Sequence, residues 1–424
     1  MQRQKKQASI EDLPLVAIEL GSGSVRAMAA ELIDTDTLRI LGYEESSKFA
    51  YMDRGLITNT SNAGYMIKEV LTLLANRIHV DNLPTAFVLV GGRGMFIQKV
   101  ISHRNQARPI VVSDKTLKGM EDECREKLEQ GGENTILALI PSYFVLDGKE
   151  QDGKPEPSQR AMYVEGHYIA FVGKKELKHK VTDSFDRACK SIEETFVRPD
   201  ALLSAINSED SSILTNGCAV LDMGAETTTL SLYKGNTYLT TKVVSLGSNH
   251  ITQLIEQQGI LPHLAEQLKV RYGWAKQSLV TDNRRMRIPA TAEVGGELVW
   301  TTRELAALIE QKLDEIMDPL ITTLHDYAKE IHCLYLTGAG SMIQGMEEYI
   351  QKKTQVKVLY GSHAALLEKN TNDEYFSPKY TSLVGALILG ADYRQRHPNE
   401  DVKPTKIKQR LEEKLLQLFT DQQY

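Results

Sequence analysis

The sequence predicts an α/β fold of two similar halves, and three features of the chain indicate it. Short apolar strands alternate with amphipathic helices through most of the chain. A strand that ends in an acid, a turn of small residues and a second strand occur at residues 18–26 and again at residues 221–230. A third turn, rich in glycine, joins a strand to a helix within residues 333–350. The repeated hairpin is typical of two related halves that face each other.

Composition restricts the class of protein. The chain has 424 residues, of which 42% are hydrophobic and 25% charged, as in soluble globular proteins of two to four domains. The formal net charge of −6 argues against a nucleic-acid partner. The four cysteines form no CxxC pair, which predicts reduced thiols. The polar N-terminus predicts no signal peptide, and no window reaches the roughly 18 apolar residues of a membrane span.

The first half begins with an apolar strand at residues 15–20, which breaks at the turn Gly21-Ser22-Gly23-Ser24. Strands are predicted next at residues 25–32 and 38–43. A helix follows, because its apolar residues recur at helical spacing, and Ser61 or Asn62 is the expected N-cap.

A compact α/β insert is predicted from Pro84 onward. Ser113 or Asp114 is the expected cap of its first helix. The polar residues 148–158, which include glycine and proline, predict a hairpin tip or loop. The predicted strands are 86–90, 136–139, 142–147 and 163–172, and the predicted helices are 113–130 and 174–191.

The second half starts with the hairpin of residues 219–236. Helices are predicted from about Ser248 and within residues 261–275. A long helix then begins after Thr301 or Thr302, with Glu304 in its first turn as in a capping box. The strand, turn and helix of residues 333–353 follow, and a helix rich in small residues closes the fold at 382–395.

The three turns are the candidate functional site. Two facing hairpin turns can wrap a polyphosphate with backbone N–H and hydroxyl donors. Glu19 and Asp222, at the strand ends, can hold a hydrated magnesium ion or orient a water, and they are the catalytic candidates. The third turn allows the close backbone approach that an adenosine needs. The alternative is that the hairpins only close a cleft. The expected nucleotide-binding residues in the turns are Gly21, Ser22, Gly23, Ser24, Asp222, Gly224, Thr227, Thr228, Gly338, Ala339, Gly340 and Ser341.

These turns resemble the phosphate 1, phosphate 2 and adenosine motifs of the actin, Hsp70 and sugar-kinase superfamily. Within it, the chain is similar to the bacterial FtsA family over most of residues 14–392. The insert lies where that family carries a subdomain named 1C. The segments that carry the resemblance are MDRGLITNTSNAGYMIKEV, ILALIPSYFVLDG, AEQLKVRYGWA, RELAALIEQKLDEI and LTGAGSMIQGM.

The resemblance implies an actin-like fold with two lobes around a cleft that holds ATP and Mg²⁺. It also implies a cell-division adaptor that polymerises and ties the C-terminal tail of FtsZ to an anionic membrane surface. Its expected location is the cytoplasmic face of the inner membrane at the septum, with other division proteins bound through subdomain 1C. The implied layout is 1–83 and 173–217 for subdomain 1A, 84–172 for 1C, 218–247 and 331–375 for 2A, 248–330 for 2B, 376–393 for the closing helix of 1A, 394–404 for a linker and 405–424 for a membrane-targeting helix.

Five residues depart from the family pattern. Glu19 stands where the family has aspartate, and Ala225, Glu226 and Thr229 change the second turn. Ala339 replaces the central glycine of the third turn, which is a mild change. Alanine disfavours a positive φ, and the carboxylate of Glu226 repels phosphates unless it turns outward or joins the magnesium shell. These changes predict weak or absent hydrolysis, so enzymatic activity stays open.

Two further residues take roles from the resemblance. Lys269 is expected to reach the ribose or base of the nucleotide, and the alternative is a solvated helix lysine. Arg303 opens the long helix, where the FtsZ tail is expected to bind.

The C-terminal segment predicts a basic amphipathic helix. Its apolar residues fall on one helical face, and lysines and arginine flank that face. Such a helix after a polar linker is typical of a membrane-surface anchor, and the alternative is a helix that docks on protein. The expected membrane-contacting residues are Ile407, Leu411, Leu415, Leu418 and Phe419.

Two other functions remain open from sequence. The first is a sugar or acetate-type kinase of the same superfamily, which would need a catalytic base, usually an aspartate, near the acceptor hydroxyl. The second is a pilus-assembly relative of FtsA, which typically relies on a protein partner at the membrane. The tail helix favours the division adaptor over both.

Overall fold

The computed structural model describes residues 13–397, apart from 130–131, 153, 157, 208–211 and 236. These residues form two compact units. The first unit contains the described parts of 1–91, 175–209 and 362–424, and the second contains those of 92–174 and 210–361. Of the predicted linker 394–404, residues 394–396 belong to the last helix of the first unit, and residues 398–404 lie outside the described residues, as does the predicted helix 405–424.

A mixed five-stranded sheet forms the centre of the first unit. Its order is β11-β6-β1-β2-β3. Strand β1 pairs antiparallel with β2 and parallel with β6, and the β1–β2 register places Glu19 opposite Arg26. A two-stranded ribbon, β4–β5, follows β3 along the chain. The strands are β1 (Leu15–Leu20), β2 (Val25–Leu32), β3 (Leu38–Ser46), β4 (Met52–Asp53), β5 (Leu56–Ile57), β6 (Thr85–Val90) and β11 (Ser191–Val197).

Four helices complete the first unit: α1 (Thr60–Arg77), α3 (Lys175–Ala188), α4 (Arg198–Asn207) and α10 (Thr381–Arg396). Helix α1 is capped by Asn59, whose Oδ1 accepts the N–H groups of Ser61 and Asn62 at 3.0 Å each. Ser61 and Asn62, the predicted caps, are therefore helical residues that donate their N–H groups to the actual cap. The prediction was wrong because the helix starts before its first periodic apolar residue. Helix α10 approaches α4 closely, since a Cβ on Gly385 would lie 1.8 Å from the carbonyl oxygen of Ala201.

The insert forms a second, antiparallel sheet of order β7-β10-β8-β9 with one helix against it. Strand β6, which lies in the stretch expected to form the insert, instead pairs with β1 and β11 in the first sheet. The second unit accordingly begins at Gly92. Long strand β7 was not predicted. The elements are β7 (Phe96–Val111), α2 (Asp114–Glu129), β8 (Asn134–Leu146), β9 (Lys149–Asp152) and β10 (Arg160–Lys174).

Strand β8 replaces two predicted strands with one. Pro141 separates the predicted segments, but it lies opposite Tyr168 where the register with β10 shifts at a bulge. A bulge tolerates a residue that has no N–H to donate, so the strand continues through the proline.

The central sheet of the second unit repeats the arrangement of the first. Its order is β14-β13-β12-β17-β18. Strand β12 pairs antiparallel with β13 and parallel with β17, as β1 does with β2 and β6. The register places Asp222 opposite Thr229, as Glu19 is opposite Arg26. The strands are β12 (Cys218–Met223), β13 (Thr228–Lys234), β14 (Thr237–Val244), β17 (Cys333–Thr337) and β18 (Lys357–Tyr360).

Helices and a hairpin surround that sheet. Helix α8 begins with the predicted capping box: Thr301 Oγ1 accepts the N–H of Glu304, and Glu304 Oε2 accepts the N–H of Thr301 at 2.6 Å. Among the described residues, no helix is long and apolar enough to cross a bilayer. The remaining elements are α5 (Ser212–Asn216), α6 (Ser248–Glu256), α7 (Pro262–Tyr272), β15 (Arg285–Pro289), β16 (Glu297–Thr301), α8 (Thr302–Asp326) and α9 (Met346–Thr354).

Candidate functional site

The first small-residue turn is a tight, braced hairpin turn in the first unit. The N–H of Gly21 donates to the carbonyl oxygen of Ser24 at 3.0 Å. The hydroxyl of Tyr51, which is buried, donates to the carbonyl of Gly21, and the N–H of Gly55 donates to Ser22 Oγ at 3.1 Å. Ser24 Oγ donates to Glu45 Oε1 at 2.6 Å. The fold therefore holds this turn in one shape and already uses the Ser24 hydroxyl proton.

Glu19, the acid before this turn, is held by two arginines and a serine. Its Oε1 accepts from Arg26 at 2.5 Å and from the guanidinium of Arg198, and its Oε2 accepts from Ser382 Oγ at 2.7 Å. The Glu19 side chain is 3% exposed and that of Arg198 is 18% exposed. A Cβ on Gly21 would lie 3.6 Å from Glu19 Oε1, so both guanidinium groups lie at the first turn.

The arginines keep Glu19 ionised. Burial by itself raises the pKa of this carboxyl, but Arg198, Arg26 and Ser382 outweigh it and lower the pKa to about 2. Burial likewise lowers the pKa of Arg26, and Glu19 raises it above the ordinary value. Glu19, Arg26 and Arg198 thus form a cluster with one negative and two positive charges, buried at Glu19 and Arg26 and partly exposed at Arg198.

The cluster does not fit the magnesium role expected for Glu19. Glu45 and Lys379 add one charge of each sign beside it, and the two groups lie 2.9 Å apart. Three cationic and two anionic side chains leave a net positive charge at the first turn. A divalent cation is repelled there, and the Glu19 oxygens already accept three donors.

The second turn, in the second unit, closes in the same way. The N–H of Gly224 donates to the carbonyl oxygen of Thr227 at 2.9 Å. The carbonyls of Gly224 and Ala225 accept the N–H groups of Ser248 and Asn249, at the start of α6, at 3.0 and 2.8 Å. A Cβ on Gly247 would lie 2.6 Å from the Gly224 oxygen, so glycine is needed where α6 meets the turn.

Two predicted donors of the second and third turns are used within the fold. Thr228 is fully buried and its hydroxyl donates to the carbonyl of Leu246 at 2.8 Å. Ser341 is 1% exposed and its hydroxyl donates to the carbonyl of Gly338 at 2.7 Å. A hydroxyl has one proton to give, so these two residues position the turns. Thr227 is half-buried and remains the accessible threonine of the predicted pair.

The third turn packs directly on the second within the second unit. Gly338 has φ 80° and ψ 156°, a conformation that side chains oppose. A Cβ there would lie 2.6 Å from Asp222 Oδ1, and a Cβ on Gly340 would lie 2.7 Å from the Met223 side chain. Asp222 is 4% exposed, and Thr337 Oγ1 lies 3.4 Å from its Oδ1. Gly338 therefore covers the carboxylate of Asp222. Ala339, between Gly338 and Gly340, is exposed.

Lys269 is a buried residue of α7, so the solvated alternative is wrong. It is 5% exposed, and its Nζ donates to the carbonyl of Ser248 at 3.1 Å and to Thr252 Oγ1 at 2.8 Å. Glu266 Oε2 lies 2.7 Å from the same nitrogen. Burial lowers the pKa of Lys269 and Glu266 opposes that shift. Lys269 thus joins α7 to the N-terminal end of α6. That end of α6 donates its N–H groups to the second hairpin turn.

The structure adds residues that the sequence did not single out. Arg26 has a signal in the sequence, since a hairpin register places it opposite Glu19. Arg198 and Ser382 have none, because they lie 179 and 363 residues along the chain from Glu19. Arg303 lies apart from the turns at the start of α8, where it is exposed and its N–H donates to Asn283 Oδ1 at 3.0 Å. Among the described residues, no group of three or more His, Cys, Asp or Glu side chains could hold a metal ion.

The repeated sheets, the paired hairpin turns and the third turn define an actin-like fold, as predicted. Two solved structures share it. A PilM-PilN type IV pilus biogenesis complex aligns with TM-score 0.64 and 16% identity, covering 89% of this chain and 99% of that one. MreB5 of Spiroplasma citri bound to ADP aligns with TM-score 0.53 and 14% identity, covering 92% and 100%.

Within that class, the predicted resemblance to FtsA is confirmed. The family model described as cell division protein FtsA matches residues 219–385. Cell division protein FtsA of Escherichia coli (strain K12) is 23% identical over 421 residues, which cover 92% of this chain and 93% of the relative. Cell division protein FtsA of Bacillus subtilis (strain 168) is 25% identical over 309 residues, covering 72% and 68%.

Proposed function

We propose that this chain is an FtsA-type cell-division adaptor that binds ATP, polymerises and tethers FtsZ to the cytoplasmic face of the membrane at the septum. The observation that carries the proposal is the similarity to FtsA relatives, which covers 92% of the chain. The family model itself matches residues 219–385, which include the second and third turns. The same similarity supports two further parts of the proposal: the division of the chain into the FtsA subdomains, and the binding of later division proteins through subdomain 1C.

ATP binding is supported by the geometry of the turns. Both hairpin turns close with the same N–H to carbonyl bond, and glycines bring the third turn against the second. The MreB5 structure with this fold is bound to ADP. In this account the nucleotide sets the shape of a scaffold and hydrolysis is weak, because Glu19 is held by two arginines and the second turn carries Ala225 and Glu226.

Membrane attachment belongs to the C-terminal segment in this proposal. Five apolar residues from Ile407 to Phe419 recur at the spacing of one helical face, and basic residues flank them in the sequence. This segment lies outside the described residues. The proposed contact is peripheral, with the apolar face at the lipid boundary and the basic flanks on anionic headgroups.

The FtsZ tail is proposed to bind beside Arg303. Arg303 is exposed at the start of α8. The neighbouring strand β15 exposes Arg285 and Arg287, which are two residues apart and so lie on the same face of the β15–β16 hairpin. The hairpin partner of Arg287 is Val299, which is 57% exposed. An apolar residue beside exposed guanidinium groups suits a peptide that carries both apolar and acidic groups.

Arg303→Ala is expected to weaken binding of an FtsZ C-terminal peptide by about fivefold or more, the loss of one well-placed interface arginine. The measurement is a titration of the full chain with the labelled peptide, with and without ATP. Lys329→Ala is the matched control, because it removes an exposed cation near the other end of α8. Equal losses in both variants place the peptide elsewhere, and no peptide binding by the unaltered chain in either nucleotide state contradicts the adaptor itself.

A pilus-assembly actin-like protein is the second candidate. The PilM-PilN complex supports it, since the fold covers 99% of that chain. The same titration separates the two candidates, because a pilus-assembly protein is expected to have no affinity for the FtsZ peptide.

A further inference from the structure

We propose that the first turn holds the phosphates of a nucleotide with Arg198 in place of a divalent cation, so that nucleotide binding does not require Mg²⁺. The inference rests on the proposed nucleotide site and names what neutralises its phosphates. Its basis is the charge and burial of the groups around Glu19.

The first argument is that Glu19 is already neutralised. A carboxylate attracts a hydrated magnesium ion through its negative charge. Here Arg26 and Arg198 both donate to Glu19 Oε1, and Ser382 donates to Oε2. Binding magnesium would require breaking buried ion pairs, which leaves uncompensated charge in the interior.

The second argument is that the surplus charge lies where the phosphates are expected. Oε1, which both guanidinium groups contact, lies 3.6 Å from the Cβ position of Gly21. Of the two arginines, Arg198 has the more accessible side chain, 18% exposed against 9% for Arg26. A guanidinium pairs with phosphate oxygens through a planar fork of donors.

The third argument concerns the second acid. Asp222 is 4% exposed, Thr337 Oγ1 lies 3.4 Å from its Oδ1, and Gly338 covers that oxygen. Neither acid expected to serve magnesium therefore presents an open carboxylate. In this chain the arginine supplies fixed positive charge, and Glu19 acts as the positioning residue that holds the guanidinium at the turn.

The test is a titration of the full chain with a fluorescent ATP analogue, in excess Mg²⁺ and in excess EDTA. We expect the two dissociation constants to agree within about tenfold. A larger loss in EDTA overturns the inference and leaves the ATP-binding function intact. No binding in either buffer overturns both.

The variant test assigns the role to Arg198. Arg198→Ala is expected to weaken binding in EDTA by about tenfold or more, and Arg198→Lys is expected to restore part of the affinity because it keeps the charge. Arg39→Ala is the matched control, since Arg39 is an exposed arginine of the same unit paired with Glu368. Unchanged affinity in Arg198→Ala overturns the assignment. If Arg198→Ala does not fold, Arg198→Lys is compared with Arg39→Lys instead. We expect only Arg198→Lys to bind the ATP analogue more weakly in EDTA. Equal affinities of the two variants overturn the assignment.

Discussion

Glu19→Gln is expected to lower the free energy of unfolding by about 3–5 kcal/mol, the cost of removing one partner from a buried ion pair. The substitution keeps the size of the side chain and removes its charge. Arg26 and Arg198 then remain at the first turn without the carboxylate that neutralises them. Urea unfolding followed by circular dichroism measures the loss.

The matched control for this prediction is Glu368→Gln. Glu368 pairs with Arg39 at 2.9 Å in the same unit, but both side chains are solvent-accessible. Water screens an exposed pair and weakens its contribution, so the control is expected to change the stability little. Equal effects of the two substitutions would contradict the buried cluster.

The pH dependence gives the same prediction a second measurement. The pKa of Glu19 is lowered from 4.5 to about 2 in the folded chain. Because the folded value is the lower one, the stabilisation is fully present above about pH 4.5 and is lost as the pH falls toward 2. The difference in stability between the unaltered chain and Glu19→Gln is therefore expected to shrink across that window.

Gly338→Ala is expected to cost several kcal/mol of stability and to weaken ATP binding about tenfold or more, because two penalties act together. The residue has φ 80° and ψ 156°, a region that is essentially confined to glycine. The new Cβ would also lie 2.6 Å from both Asp222 Oδ1 and the carbonyl oxygen of Met223. Relief of that clash must separate the third turn from the second.

Gly148→Ala separates the two penalties. Gly148 has φ +82° and no atom within 4 Å of a new Cβ, so its substitution brings a positive φ without a clash. We expect it to cost about 1–2 kcal/mol and to leave nucleotide affinity unchanged. If the two variants lose similar stability and bind the ATP analogue equally well, the packing of the third turn on the second has no part in binding.

The sequence predicted the parts of the fold that local rules determine. The hairpin turns at Gly21 and Gly224, the capping box of α8 and the helix of small residues near the C-terminus all follow from neighbouring residues. The repeat of a strand, a turn and a strand also predicted the matching topology of the two central sheets. The start of the insert could not be predicted from neighbouring residues, because strand β6 is assigned to a sheet by its distant partners β1 and β11.

The electrostatics of the candidate site could not be predicted, because its partners are distant in the sequence. The sequence shows Glu19 as an acid beside a turn, whereas the fold surrounds it with Arg198 and Ser382. Lys269 has the spacing of a surface lysine, but the packing of α7 on α6 buries it. Cys218 and Cys333 are likewise remote in sequence, and the parallel pairing of β12 with β17 places them opposite each other.

The most direct test of the adaptor is flotation of FtsZ with anionic vesicles. The full chain is mixed with FtsZ, ATP and vesicles and is compared with a chain that ends before residue 405. We expect FtsZ to float with the vesicles only when the full chain is present. If FtsZ stays behind with the full chain, or floats equally well with the shortened chain, the proposed tether through the C-terminal helix is contradicted.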